Sequence, residues 1–260
     1  MDLPPDVDRL LTGLQGRLVA RGGLVGLYLY GSLTTGDFSP ARSDIDVIAM
    51  LAQDPDEIAV RDLGRLHAAL AAADDPAGRL HCLYVPAHGA GDPEALRTYW
   101  YGTRMTQWQL KVLTRAELRD GLSLHGPWPP PGITAPSTGE VQAAVHAEIT
   151  GYWRRMARRR RIWLSDSWVD FGLVTLPRAE AVLTGGTLIT KSQAISRLAG
   201  FGVPAGLAAQ ISGRRAGETI RVPALQRISR GYLARRIMQR GVRRLGSLRA
   251  GSMQAEGGTR

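Results

Sequence analysis

A glycine–serine pair followed by two aspartates has the residue types and spacing needed to bind phosphate and metal. Gly31 and Ser32 follow an apolar, aromatic-rich run at residues 24–30, and Asp44 lies twelve residues after Ser32. A glycine at the end of a buried strand lets the backbone approach a ligand closely. The turn that follows is predicted to open a short helix, whose N–H groups and the Ser32 hydroxyl would hold phosphate oxygens.

Asp44 and Asp46 lie two residues apart on a strand predicted over 44–51. Side chains alternate along a strand, so both carboxylates face the same side and Ile45 faces the core. Mg²⁺ prefers oxygen ligands and usually binds through one or two carboxylates together with substrate phosphates. Asp44 and Asp46 are therefore predicted to be catalytic metal ligands. Ser43, in the same loop, is predicted to support the phosphates or the carboxylates.

The segment YGSLTTGDFSPARSDID resembles the polymerase-β-like nucleotidyltransferase superfamily, whose motif is G-S followed by D-x-D. Within it, the length and the helical second half are most similar to the aminoglycoside adenylyltransferases that act on streptomycin and spectinomycin. The resemblance implies a small mixed sheet with a nucleoside triphosphate over the G-S turn. It also implies Mg²⁺, ATP as co-substrate, transfer of AMP to a hydroxyl of a small molecule, and a role in antibiotic resistance.

The same resemblance points to two cations for the ATP phosphates. The family has a T-L-x-R motif followed by I-x-x-K, and this chain has TLPR at 175–178 and ITK at 189–191. Arg178 and Lys191 are accordingly expected to bind the triphosphate. Both could instead be ordinary surface cations on helices.

His81 marks a departure from the family pattern. The family carries a carboxylate as L-E at the start of the next strand, where it acts as the catalytic base, and this chain has Leu80-His81. An imidazole can accept a proton from a hydroxyl near neutral pH. His81 is the candidate base, and the alternative is a half-exposed strand histidine without a role. In that case a base would come from Asp170 or Glu180.

Three acids are candidates for binding the acceptor. Asp166 and Asp170 lie one helical turn apart, so both can project from one face. Together with Glu180 they would attract a cationic acceptor. Asp166 could instead simply complement the helix dipole in the first turn.

The elements that would position these residues form two domains, an α/β domain with a small mixed sheet followed by an all-α domain. Residues 127–137 contain five prolines in eleven positions and predict a linker. The predicted boundaries are 1–126 for the nucleotidyltransferase domain, 127–137 for the linker, 138–250 for the helical domain and 251–260 for a disordered tail. Helical periodicity also predicts a helix around 93–120.

The charge distribution does not identify the binding partner. The chain carries a net charge of +10, with arginines concentrated in RRMARRRR at 154–161 and after Arg214. That distribution fits a solvated helix face, or a nucleic-acid acceptor, which is possible but not favoured. RNA or protein as the acceptor and a catalytically silent nucleotide-binding module therefore remain alternatives. A single cysteine, no secretory signal and no long apolar stretch favour a cytoplasmic protein without a membrane partner.

Overall fold

The computed structural model describes residues 3–73 and 75–248, apart from the side chain of Asp75. The predicted tail at 251–260 lies outside the described residues. The chain divides into two compact units, one formed by residues 1–38 and 43–136 and the other by residues 39–42 and 137–260. Each unit is described below by itself.

The first unit is built on one mixed sheet. Its helices are α1 (Pro5–Arg21), α2 (Glu57–Ala73) and α3 (Val112–Glu117), with 3₁₀ turns at Asp75–Arg79 and Leu118–Asp120. Its strands are β1 (Leu24–Tyr30), β2 (Ile45–Leu51), β3 (Leu80–Pro86), β4 (Leu96–Tyr101), β5 (Arg104–Gln109) and β6 (Leu122–His125). In the described part of the chain the sheet order is β5-β4-β3-β2-β1-β6. Among the described strands, β2 and β3 pair in parallel and the other neighbouring pairs are antiparallel.

The two faces of the sheet bury different residues. On one face, α1 and α2 pack their apolar positions, including Leu14 and Leu63, against Ile45 and its neighbours. The predicted inward direction of Ile45 is confirmed, since its side chain is fully buried. The other face buries Tyr30, Ile48 and their neighbours. Asp46 has the strand parity of Ile48, so its carboxylate belongs to this second face.

The structure corrects two local predictions. Residues 96–109 form the β4–β5 hairpin and not a helix. The hairpin is rich in aromatic and β-branched residues, which favour strands, and this preference outweighs an apparent helical period. After Gly31 the chain forms hydrogen-bonded turns and not a short helix, with the Thr35 N–H donating to the Gly31 carbonyl at 3.2 Å.

The second unit is helical. Its α-helices are α4 (Thr138–Glu148), α5 (Arg154–Met156), α6 (Asp166–Gly185), α7 (Lys191–Ser196), α8 (Ala205–Arg215) and α9 (Ala224–Gly246). A π-helical turn at Ile149–Trp153 joins α4 to α5, and 3₁₀ turns lie at Arg161–Leu164 and Leu198–Phe201. The Thr190 side chain caps α7, and Gly186 ends α6 in the left-handed conformation. The predicted fold class, an α/β unit followed by a helical one, is confirmed.

None of the helices among the described residues combines the length and the apolar character needed to cross a bilayer.

A buried histidine on α2 joins the helix to the sheet. The Nε2 atom of His67 lies 2.7 Å from the Tyr84 hydroxyl, and its ring stacks on Trp100 with the centroids 4.8 Å apart. Burial lowers the pKa of His67 to about 3. The folded chain therefore holds this imidazole neutral, whereas the unfolded chain protonates it near pH 6.5.

This histidine should make stability depend on pH. Between pH 6.5 and about 3 the unfolded chain binds the extra proton, so the free energy of unfolding falls as the pH falls through this window. From this residue alone we expect a loss of about 2 kcal/mol between pH 8 and pH 5. His67→Phe should remove that part of the pH dependence. The exposed His88→Gln serves as control in urea unfolding followed by circular dichroism. If His67→Phe lost as much free energy of unfolding between pH 8 and pH 5 as the parent chain, the assignment would be contradicted.

Candidate active site

The turn after β1 brings the backbone close to a carboxylate. Gly31 has a positive φ of 81°, which only glycine adopts readily. A Cβ atom added at this position would lie 3.1 Å from Oδ2 of Asp46. Side chains of the turn fold back onto it, with the Thr34 hydroxyl donating to the Gly31 carbonyl at 3.0 Å. The glycine therefore keeps open the space in front of Asp46, and Ser32 follows it in a partly buried position.

The two predicted metal ligands lie on either side of His81. The strand begins at Ile45, so Asp44 directly precedes it and Asp46 is its second residue. Oδ1 of Asp46 lies 3.4 Å from Nδ1 of His81, and Oδ1 of Asp44 lies 3.8 Å from Nε2. The parallel register of β2 and β3 pairs Asp46 with His81. Both ring nitrogens thus face a carboxylate, and the three side chains form one cluster.

Aromatic residues of β4 close the other side of His81. The ring centroid of His81 lies 4.7 Å from that of Tyr101 and 6.0 Å from that of Tyr99. Burial, followed by the charges of Asp46 and Asp44, raises the pKa of Tyr99. Burial and Asp46 likewise raise the pKa of Tyr30. Both phenols therefore stay neutral at physiological pH and can act as hydrogen-bond donors. The sequence did not indicate Tyr99 and Tyr101, because their position depends on the hairpin that was predicted to be a helix.

Arg79 fixes the loop that leads into the carboxylates. Its guanidinium donates to the Ser43 carbonyl at 2.9 Å and lies over the ring of Phe38, 5.9 Å from the centroid. Ser43 itself is buried, with 2% of its surface exposed. Arg79 is thus a positioning residue that has no motif of its own in the sequence.

The donor set of this cluster suits Mg²⁺ bound together with phosphates. Two carboxylates supply hard oxygen ligands on one face of the sheet. Among the described residues there is no group of three or more His, Cys, Asp or Glu side chains arranged to hold a metal by themselves. In phosphoryl-transfer sites, Mg²⁺ is commonly bound by two carboxylates, with phosphate oxygens and water in its remaining coordination positions.

The second unit contains a cavity of about 710 Å³ that mixes cations, acids and apolar side chains. Four of the predicted site residues line it: Arg178, Lys191, Asp166 and Asp170. Glu180 is not among the lining residues. The cavity wall also carries Arg42 and three cations that the sequence did not indicate, which are Arg214, Arg215 and Arg227. Arg42 reaches this unit because residues 39–42 belong to it, and its Nε donates to the Arg214 carbonyl at 3.1 Å.

All three candidate acceptor-binding acids are engaged in ion pairs with arginines. Asp170 accepts two hydrogen bonds from Arg214, at 2.6 and 2.7 Å. Asp166 pairs with Arg230 and Glu180 pairs with Arg244, which joins α6 to α9 twice. Burial raises the pKa of the Asp170 carboxyl, and the hydrogen bonds from Arg214 oppose that rise. These acids hold the helices of the unit together whatever further role they have.

Comparison with solved structures identifies the fold. The chain is similar to the spectinomycin adenyltransferase AAD(9) from Enterococcus faecialis, solved with ATP and spectinomycin. The TM-score is 0.61 at 12% sequence identity, and the match covers 89% of this chain and 98% of that one. The chain therefore shares the fold of that adenyltransferase, and the fold expected from the motif is confirmed. Comparison with protein-family models and with curated protein sequences gives no match.

The Asp170–Arg214 pair yields a stability prediction. Asp170→Asn leaves the guanidinium of Arg214, whose side chain is 8% exposed, without its counter-charge. Removing one partner of a fully buried pair costs roughly 3–5 kcal/mol, and partial exposure of Asp170 reduces this to about 2–3 kcal/mol. Urea unfolding measures the change, with the exposed Glu148→Gln as control. Adding Arg214→Met to Asp170→Asn should recover part of the loss. A single variant as stable as the parent chain would show that the pair contributes nothing.

Proposed function

We propose that this protein transfers AMP from ATP to a hydroxyl group of a small molecule in a Mg²⁺-dependent reaction. The observation that best supports this function is the cluster of Asp44, Asp46 and His81 in front of the Gly31 turn. The nucleotidyltransferase fold supports the same class of reaction.

Each residue of the cluster has a task in this reaction. Asp44 and Asp46 would hold Mg²⁺, which neutralises charge on the triphosphate and orients the in-line attack. Gly31 leaves room for the phosphates, and the free backbone N–H groups of the turn and the Ser32 hydroxyl would donate to their oxygens. Ser43, which is buried and directly precedes Asp44, would support the carboxylates. Tyr99 and Tyr101 limit the positions that the His81 ring can take.

His81 is the proposed base. One imidazole nitrogen takes the proton of the acceptor hydroxyl as its oxygen forms a bond to the α-phosphorus, and pyrophosphate leaves with the electrons of the broken bond. Contact of both ring nitrogens with carboxylates supports this role, because a carboxylate stabilises the imidazolium that forms. The two tyrosines beside the ring add no competing base.

Arg178 and Lys191 are proposed to bind the triphosphate. Both line the cavity of the helical unit, on walls where cations outnumber acids. Arg178 also donates from Nε to the Ile189 carbonyl at 3.1 Å, which fixes the segment before Lys191. Charge-assisted hydrogen bonds from these two cations to phosphate oxygens would contribute roughly 1.5–3 kcal/mol each.

The acceptor is proposed to be an aminoglycoside-like compound, because the structurally similar enzyme is a spectinomycin adenyltransferase. Asp166, Asp170 and Glu180 are the acids proposed to receive it. A cationic acceptor would have to compete with Arg230, Arg214 and Arg244 for these carboxylates. Pyrophosphate release from Mg²⁺-ATP with streptomycin, with spectinomycin and with related cyclitols tests the acceptor assignment. Pyrophosphate release with none of them would refute it.

The metal ligands give the first functional prediction. Asp44→Asn and Asp46→Asn should each lower Mg²⁺-dependent ATP affinity at least about tenfold, equivalent to about 1.4 kcal/mol. The thermal midpoint should hardly change, since the two side chains are 48% and 27% exposed. Calorimetric titration with Mg²⁺-ATP measures the affinity. Asp54→Asn, an exposed change of the same charge in the loop after β2, is the control. Wild-type affinity in both test variants would refute the proposed metal site.

His81 gives the second functional prediction. His81→Ala should lower the rate of AMP transfer by about 10²–10⁴, the usual contribution of a general base. ATP affinity should stay within a few-fold of the parent value, because both carboxylates remain. Rapid-quench measurement of the single-turnover rate separates transfer from binding. A variant that transfers AMP at the parent rate would exclude His81 as the base.

A further inference from the structure

A second concave surface of the helical unit differs in chemistry from the cavity described above. This basic groove has a volume of about 480 Å³ and runs between the π-helical turn with α5 on one side and the last turns of α9 on the other. Its lining residues are Thr150, Arg154, Ala157, Arg158, Gln239, Val242, Arg243, Gly246 and Ser247. Three of them are arginines and none is an acid.

Contacts between α9 and the turn hold the walls of the basic groove in place. The Ala157 carbonyl accepts hydrogen bonds from Nε of Arg235 at 3.1 Å and from Nε2 of Gln239 at 3.0 Å. At the other end, Nε2 of His146 lies 3.2 Å from the Gly246 carbonyl. The groove is therefore part of the packed structure of the unit and does not depend on the arginine side chains at its rim.

The three arginines of the basic groove are available to a ligand. Arg154, Arg158 and Arg243 are exposed, and within the described residues none of their side chains makes a hydrogen bond or an ion pair. The surrounding sequence contains no acid from residue 149 to 165 or from 219 to 248. By contrast, the acids of α6 pair with Arg214, Arg230 and Arg244. The basic groove thus carries positive charge that the protein itself does not neutralise.

We infer that the basic groove binds the phosphodiester backbone of a nucleic acid. Arg154 and Arg158 line one side of the basic groove and Arg243 lines the other, and guanidinium groups are well suited to hydrogen-bond phosphate oxygens. Besides the three groove arginines, four more lie at 154–161 and six more on α9, of which Arg230 and Arg244 are paired with acids. A small anion would use only the three lining side chains, whereas a polymer uses the flanking arginines as well.

This binding site does not rest on the proposed AMP transfer. It shares no lining residue with the cavity that contains Arg178 and Lys191. The basic groove also exposes no tyrosine or tryptophan among its lining residues, so base stacking has no platform there. Recognition is therefore of the backbone, with little dependence on base sequence.

The test is the salt dependence of oligonucleotide binding by the full chain. Fluorescence anisotropy with single-stranded RNA, DNA of the same sequence and a DNA duplex, from about 50 to 200 mM salt, gives the number of phosphates neutralised. The triple variant Arg154→Gln, Arg158→Gln and Arg243→Gln should make the single-strand slope of log affinity against log salt shallower by about 2. Equal decreases in slope with RNA and with DNA would assign recognition to the phosphates. A decrease with RNA alone would assign it to the RNA backbone.

Two matched variants separate the basic groove from overall charge. Arg9→Gln, Arg17→Gln and Arg61→Gln together remove the same net charge from exposed positions of the other unit and should leave the slope unchanged. Replacing the three groove arginines by lysine should preserve most of the parent chain's slope. The proposal is overturned if no oligonucleotide binds at low salt, or if the groove and control glutamine variants change the slope equally. It is also overturned if phosphatidylserine vesicles bind through the groove arginines while oligonucleotides do not.

Discussion

The in-register parallel pairing of β2 with β3 is the constraint on which the candidate active site depends. It sets Asp46 beside His81, and the antiparallel pairing of β2 with β1 sets Asp46 beside Tyr30 at the edge of the Gly31 turn. A slip of one residue would send these side chains to the opposite face of the sheet. Parallel strands need a crossover, which is supplied by α2. The packing of α2, including the buried contact between His67 and Tyr84, therefore maintains the geometry of a site to which neither residue contributes.

The sequence predicted the parts of this arrangement that depend on local pattern. Strand alternation correctly placed Ile45 in the core, and the G-S and D-x-D motifs indicated the fold. Sequence could not show that His81 lies between both carboxylates, because that follows from strand pairing over 35 positions. The β4–β5 hairpin was predicted as a helix for a related reason. Tyr99 derives its position from pairing with Leu83 of β3, and Tyr101 from the hairpin turn that pairs it with Arg104, and this pairing outweighs the local period.

In the helical unit the charges could not be interpreted from sequence alone. Asp166, Asp170 and Glu180 were expected to serve a ligand because acids on one helix face attract cations. The structure shows that each acid pairs with an arginine 44 or 64 positions later in the chain. The arginines of RRMARRRR show the opposite case: some line the basic groove, where no acid faces them. Long-range pairing thus decides which charges are part of the structure and which remain for a partner.

The central claim is that Asp44 and Asp46 form a metal–triphosphate site. Electron paramagnetic resonance of Mn²⁺, used in place of Mg²⁺, reports free and bound metal directly and needs no acceptor. With ATP present, the parent chain should bind Mn²⁺ in a complex that ATP strengthens, and Asp46→Asn should lose that strengthening. Equal ATP-dependent Mn²⁺ binding by the parent chain and the variant would contradict the account.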